Sequence, residues 1–331
     1  MEKRRFGRTG LELSLLGFGC GAVGGLMIKG AAAEQERAVA RALELGINYF
    51  DTAQMYGNGE SERNLGRVLQ VLKPDCYVGT KVRLPPTERG QIGAAIAASL
   101  DASLKRLQRD SVDLFQFHNA IVGTTASADF SADTVLDEVV PAFERLRDQG
   151  KFRFFGITAN GETGALHKVV DARRFDSGQV SYNLLNPSPA AAVPAGYPAQ
   201  DYGNLLGHLK AADMGVIVIR VLAGGALSGT PERHPLGSPP PAPIGSGASY
   251  NRDVERARRF LPLVQDGHAD SLIEASLRYV IAQPAVSTVL VGYSTMEHLE
   301  YAARSIEKGP LPQPALDRIA AIQRSFAGEP R

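Results

Sequence analysis

Eight short apolar runs, at residues 14–19, 48–51, 76–81, 112–118, 152–158, 178–182, 215–221 and 287–291, alternate with longer segments whose apolar residues recur every three or four positions. The short runs read as strands. The longer ones, among them AAEQERAVARALELG, AAIAASLDASLKRLQ, DTVLDEVVPAFERLRDQG and SLIEASLRYVIAQ, read as amphipathic helices, several closed by glycine. Alternation of this kind requires crossover connections and therefore a parallel sheet, and eight repeats point to a closed (β/α)8 TIM barrel. An open doubly wound sheet is the alternative. Barrels of this class commonly run to the 331 residues present here, so 1–331 is expected to be one domain. NRDVERARRFLPLVQ and PALDRIAAIQRSFA are expected as helices outside the eightfold repeat.

Two Pro-, Gly-, Ala- and Ser-rich stretches interrupt the rhythm: NPSPAAAVPAGYPAQD after the sixth run and GTPERHPLGSPPPAPIGSGAS after the seventh. Each lies inside the repeat, where a domain linker would break the barrel. Loops that follow strands form the active-site face of this architecture, so both are expected to cover a cofactor or substrate. For 236–248 a disordered insertion without a role is the competing reading.

Several classes of function are disfavoured. Thirty-six Lys+Arg against 35 Asp+Glu leave a formal net charge of +1, with no basic stripe interleaved with aromatics, so no nucleic-acid partner is expected. No apolar run approaches the ~20 residues of a membrane helix. Cys20 and Cys76 are the only cysteines, too few for a disulfide framework and without metal-ligand spacing, which suits a reducing compartment, the cytoplasm by default. The basic, partly apolar opening MEKRRFGRTGLELSLLGFG resembles an export signal, but Glu12 breaks its apolar run and no small-residue cleavage site follows.

Ionisable residues gather at the ends of three consecutive runs. Asp51 closes the second, Lys81 in VGTKV the third and His118 in DLFQFHN the fourth, while Tyr56 lies in the loop after Asp51. In a barrel all four converge on one face. Each alone has a plain reading: a turn or cap for Asp51, packing with a polar handle for Tyr56, a snorkelling Lys81, a satisfied His118. Together they suggest an ammonium that compensates a buried carboxylate and lowers the pKa of the phenol toward the working pH, so that Tyr56 could give up or recover a proton.

GINYFDTAQMYGNGESERNLG, VGTKV, SLKRLQRDSVDLFQFH, GKFRFFGIT and VLVGYSTMEHLE, in that order, resemble the signature segments of the aldo-keto reductase superfamily. RRFGRTGLELSLLGFG is similar to that family's N-terminal β-hairpin and first strand. The resemblance implies a barrel that binds NADP(H), or alternatively NAD(H), without a Rossmann domain. It assigns proton transfer to Tyr56, tuning to Lys81, the fixing of Lys81 to Asp51 and orientation of the carbonyl oxygen to His118, with no metal.

Cofactor contacts implied by the resemblance fall on Gly19, Cys20, Gly21, Asp51, Thr158, Gln179, Arg220, Leu222, Gly292, Ser294 and His298. Thr158 and Gln179 would meet the carboxamide and Leu222 the pyrophosphate. Ile219 or Arg220 stands where relatives often stack an aromatic on the nicotinamide. Ser294 and Glu297 also form an S-x-x-E capping-box pattern that would account for the segment without a ligand. Tyr301-Ala302 replaces the Glu-Asn pair found in many NADP-binding relatives.

The implied function is reduction of an aldehyde or ketone, or oxidation of the alcohol. GKFRFFGIT, PERHP and VLVGYS look most like the branch of aldose dehydrogenases acting at the anomeric carbon, which makes a sugar the second candidate substrate, with His234 and Tyr197 as loop residues able to meet hydroxyls. A nucleotide-binding regulatory subunit with little turnover is the reading from another class. A barrel hydrolase or isomerase would want paired carboxylates or metal ligands at the strand ends, and that set is missing from the sequence. The substrate, the physiological direction and the oligomeric state are not written in the sequence.

Overall fold

The computed structural model describes residues 1–124 and 129–331. An antiparallel hairpin, β1 (Lys3–Arg5) and β2 (Glu12–Ser14), precedes eight strands: β3 (Leu16–Gly19), β4 (Tyr49–Asp51), β5 (Tyr77–Val82), β6 (Val112–Phe117), β7 (Phe152–Thr158), β8 (Ser177–Ser181), β9 (Gly215–Ile219) and β10 (Thr288–Gly292). β3 to β10 pair in sequence order, all parallel, and β10 closes back on β3 through Val289↔Leu16 to Gly292↔Gly19. The closed barrel excludes the open-sheet alternative.

The helices packed around it are α1 (Ala32–Glu44), α2 (Glu60–Leu72), α3 (Ile92–Leu107), α4 (Val140–Asp148), α5 (Thr163–Asp171), α6 (Leu205–Ala211), α7 (Tyr250–Arg258), α8 (Leu272–Ile281), α9 (Met296–Glu307) and α10 (Gln313–Arg324). α7 and α10 are the expected additions.

Period-two alternation sets the two faces of each strand. Phe18, Phe50, Val78, Phe115 and Phe155 face the helices in one continuous core. Tyr49, Leu114, Ile217 and Leu290 form a separate cluster with Phe6, Leu11 and Leu13, so the hairpin and the turn inside it plug the end of the barrel opposite the strand C-termini. Gly79 stands beside Tyr49, and a side chain there would collide with the phenol oxygen. Above this apolar floor the next inward positions are polar: Asp51, Lys81, Gln116, Thr158 and Gln179, all buried.

Most strand ends moved by one or two residues, and three of the shifts bear on the site. Ser14 belongs to the hairpin, where it pairs with Lys3. Lys81 is followed by one more paired residue, Val82, and His118 lies just past β6 with its amide on Val82 O at 2.8 Å. β9 stops at Ile219 because Arg220 adopts a φ of 57°, which turns the chain out of the sheet.

Both Pro/Gly-rich loops are packed. Residues 229–249 form a strap across the strand C-termini. Arg233 donates to the carbonyls of Val23 (3.0 Å), Gly224 and Gly237, Lys29 Nζ donates to Ser238 O (2.9 Å), and Ser181 Oγ to Ile244 O (3.1 Å). Asn186 Nδ2 joins the two loops by donating to Gln200 O and Gly245 O. Gly25, at φ 79°, lies so close to Leu236 O that no side chain fits. The disordered reading of 236–248 is therefore replaced by a tethered one.

Candidate active site

The barrel brings Asp51, Tyr56, Lys81 and His118 together. Lys81 is fully buried, and its ammonium pairs with Asp51 Oδ1, donates to Thr52 O at 2.8 Å and reaches Tyr56 Oη at 3.4 Å. The other carboxylate oxygen of Asp51 accepts from Tyr49 Oη (3.0 Å), Gln116 Nε2 (3.1 Å) and Gln179 Nε2 (2.7 Å). A buried carboxylate survives only with such a complement of donors.

The loop carrying Tyr56 is held by its own sequence. Thr52 and Ser61 share a hydrogen bond at 2.8 Å, Ser61 donates to Cys20 O, and Glu62, buried, accepts from Thr80 Oγ1 (2.5 Å) and Arg106 Nε (2.6 Å). The ring of Tyr56 packs over Gly21, where a Cβ would come within 3.3 Å of it, and lies edge-on to His118 with centroids 6.5 Å apart.

Burial raises the pKa of Tyr56; Lys81 opposes the shift without reversing it. The expectation of a phenol brought down toward neutrality is thus corrected, because desolvation of the phenolate outweighs one ammonium already shared with Asp51. The hydroxyl is protonated at neutral pH. Burial also works to lower the Lys81 pKa, but Asp51 and Tyr56 more than offset it, so Lys81 stays a cation.

His118 Nδ1 sits 2.7 Å from Thr158 Oγ1. Burial first, then Lys81 and Arg83, lower its pKa to about 3. A neutral ring that accepts from Thr158 at Nδ1 carries its proton on Nε2, which leaves Nε2 as a donor. In an NMR titration this imidazole should show no protonation between pH 5 and 8. Its folded pKa lies below the unfolded 6.5, so its contribution to stability is complete above pH 6.5 and is lost as pH falls toward about 3. A ring titrating near 6.5 in the folded protein would contradict this placement.

The expected cofactor contacts are distributed unevenly. Thr158 and Gln179 lie inside the barrel mouth, where Thr158 Oγ1 already engages His118 and Gln179 Nε2 engages Asp51. Gly19 and Gly292 are paired across β3 and β10. The thiol of Cys20 is buried with its pKa raised, and its carbonyl accepts from Ser61. Arg220 is tied to the strap through Ala242 O at 3.2 Å, and Leu222 turns into the glycine-rich segment that follows.

The capping-box expectation fails: Thr295, not Ser294, caps α9, accepting from the amide of His298 at 3.3 Å, while Ser294 Oγ donates to Gly24 O at 2.7 Å. His298 is exposed in the first turn. His234 and Tyr197 take loop roles, capping Leu236 N and donating to Leu185 O. Two residues escaped the sequence reading. Glu62 anchors the tyrosine loop, and Asn160, two residues past Thr158, keeps a buried Oδ1 with no partner among the described residues. Nothing in spacing announces either. Among the described residues there is no cluster of potential metal ligands, and no helix is long and apolar enough to cross a membrane.

The architecture is a (β/α)8 barrel with a tyrosine, a lysine, an aspartate and a histidine gathered at its mouth. A model of the Aldo/keto reductase family matches residues 15–324, and the chain belongs to that family. It is 31% identical to L-galactose dehydrogenase of Arabidopsis thaliana, over 97% of this chain and 94% of that one. It is 27% identical to L-glyceraldehyde 3-phosphate reductase of Escherichia coli, over 91% and 86%. Among solved structures, aldo-keto reductase AKR11C1 from Bacillus halodurans in its holo form superposes with a TM-score of 0.72 at 26% identity, covering 97% of this chain and 96% of that one.

Proposed function

We propose that the chain interconverts a small-molecule carbonyl and its alcohol with a nicotinamide dinucleotide as redox partner, and that Tyr56 is the general acid and base. The observation that carries this reading is the buried Lys81 ammonium, fixed by Asp51 and within 3.4 Å of the Tyr56 hydroxyl. In reduction, Tyr56 releases its proton to the carbonyl oxygen, and Lys81 stabilises the phenolate left behind. In oxidation the phenolate takes the alcohol proton. His118 donates from Nε2 to the same oxygen and so orients it.

The dinucleotide, when bound, supplies or accepts the hydride. The residues present suit it: the unpartnered Oδ1 of Asn160 lacks an N–H donor of the kind a carboxamide offers. Thr158 and Gln179 are the neighbouring polar groups, Gly19, Cys20 and Gly21 would line its path, Arg220 and Leu222 would face the pyrophosphate, and Gly292, Ser294 and His298 the adenosine end. Cys20 and Cys76 are free and buried, in keeping with a reducing compartment such as the cytoplasm.

Aldose oxidation at the anomeric carbon is the second reading, favoured by the likeness to L-galactose dehydrogenase along nearly the whole chain. Purified protein assayed with reduced dinucleotides on a panel of aldehydes and ketones, and with oxidised dinucleotides on a panel of aldoses, tests both. Turnover on either panel is expected. Dinucleotide binding with no turnover on any compound would favour a regulatory subunit and sink the enzymatic reading.

A further inference from the structure

We infer that the pocket at the start of α9 takes an unphosphorylated adenosine ribose, so that the chain binds NAD(H) in preference to NADP(H). The inference rests on the dinucleotide reading above and sharpens it. In barrels of this class the loops after the last two strands, together with a helix N-terminus, commonly hold the phosphate-bearing end of a ligand. Here a cavity of about 280 Å³ opens at that place, between α1, the strap and the first turn of α9. Leu26 and Leu236 give it apolar walls.

Its charges are wrong for a 2′-phosphate. Such a group carries about −1.5 to −2 charges near neutral pH and is held by arginine or lysine. From Ser287 to Ala303 the chain contains neither. The cavity has one cation, Arg37, against two carboxylates, Glu34 and Glu297. The Glu297 carboxyl is held below the usual range by its own amide in the first turn and by the Thr295 hydroxyl.

The neighbouring His298 adds no fixed positive charge. Although the His298 side chain is largely solvent-exposed, partial desolvation against the strap, and then the proximity of His234, lower its pKa. The hydroxyls are committed as well, Ser294 to Gly24 O and Thr295 to capping α9. A ribose 2′-hydroxyl has the opposite needs, since it donates to a carboxylate.

The test is a pair of binding titrations, NADH and NADPH, followed by nicotinamide fluorescence and repeated by calorimetry with ADP and adenosine 2′,5′-bisphosphate. NADH should bind at least about tenfold more tightly, and the bisphosphate more weakly than ADP. In the double variant Glu34→Gln, Glu297→Gln, which keeps the shape but removes two negative charges, the gap should narrow at least about threefold. NADPH binding as tightly as NADH, or a gap unmoved by the double variant, overturns the inference and leaves the proposed function standing. Failure of both dinucleotides to bind overturns the two together.

Discussion

Replacing Tyr56 with phenylalanine is expected to lower kcat by about 10² to 10⁴-fold at saturating substrate, the range that general acid–base catalysis supplies. The ring packs over Gly21 and lies edge-on to His118, and phenylalanine preserves those contacts. Only the hydroxyl, 3.4 Å from the Lys81 ammonium, is removed. Dinucleotide affinity should therefore change by no more than about twofold, and the loss should fall on kcat rather than on binding. Because Lys81 keeps its ion pair with Asp51 and its bond to Thr52 O, the variant should melt close to the parent protein. Steady-state kinetics and a thermal melt read both halves of the prediction. A variant that folds and binds normally yet turns over at the parent rate would remove Tyr56 from the mechanism.

The largest effect on stability is expected from Lys81→Met. Asp51 then remains buried with three hydrogen-bond donors and no cation, and breaking a buried pair from one side costs about 3–5 kcal/mol. Activity should be lost in the surviving folded fraction, because the phenolate of Tyr56 loses the ammonium 3.4 Å from its oxygen. Adding Asp51→Asn to Lys81→Met should restore part of the stability although a second native residue is gone, since the stranded charge is removed. Denaturant unfolding of the three proteins decides it. If Lys81→Met is as stable as the parent, or if the double variant is less stable than the single, Asp51 and Lys81 are not a mutually compensating pair.

The barrel and the four residues at its mouth were legible because they obey local rules. Strand alternation and helical periodicity are properties of short windows, and Asp51, Lys81 and His118 each sit at or beside a strand end that those windows locate. What stayed hidden depends on distant parts of the chain. That Gln179 donates to Asp51 requires β4 and β8 to face each other across the barrel, 128 positions apart in sequence. The S-x-x-E pattern at 294 misled because Ser294 finds a carbonyl, Gly24 O, from a loop 270 residues away, leaving the cap to Thr295. Residues 236–248 have the composition of a disordered segment, and their order comes from Arg233, Lys29, Ser181 and Asn186 reaching their backbone or that of Val23 and Gly224. Electrostatics misled in sign at Tyr56: the sequence announced the ammonium, but the depth of burial that outweighs it was a property of the folded mouth.

The pH dependence of alcohol oxidation in a single turnover tests the assignment of the proton to Tyr56 most directly. Burial keeps the phenol protonated near neutrality, and the phenolate is the form that accepts the alcohol proton. In the parent protein the rate of nicotinamide reduction should therefore climb about tenfold per pH unit through the neutral range, and in Tyr56→Phe it should be slow and flat. A climb of the same steepness in Tyr56→Phe would show that the proton leaves through another group.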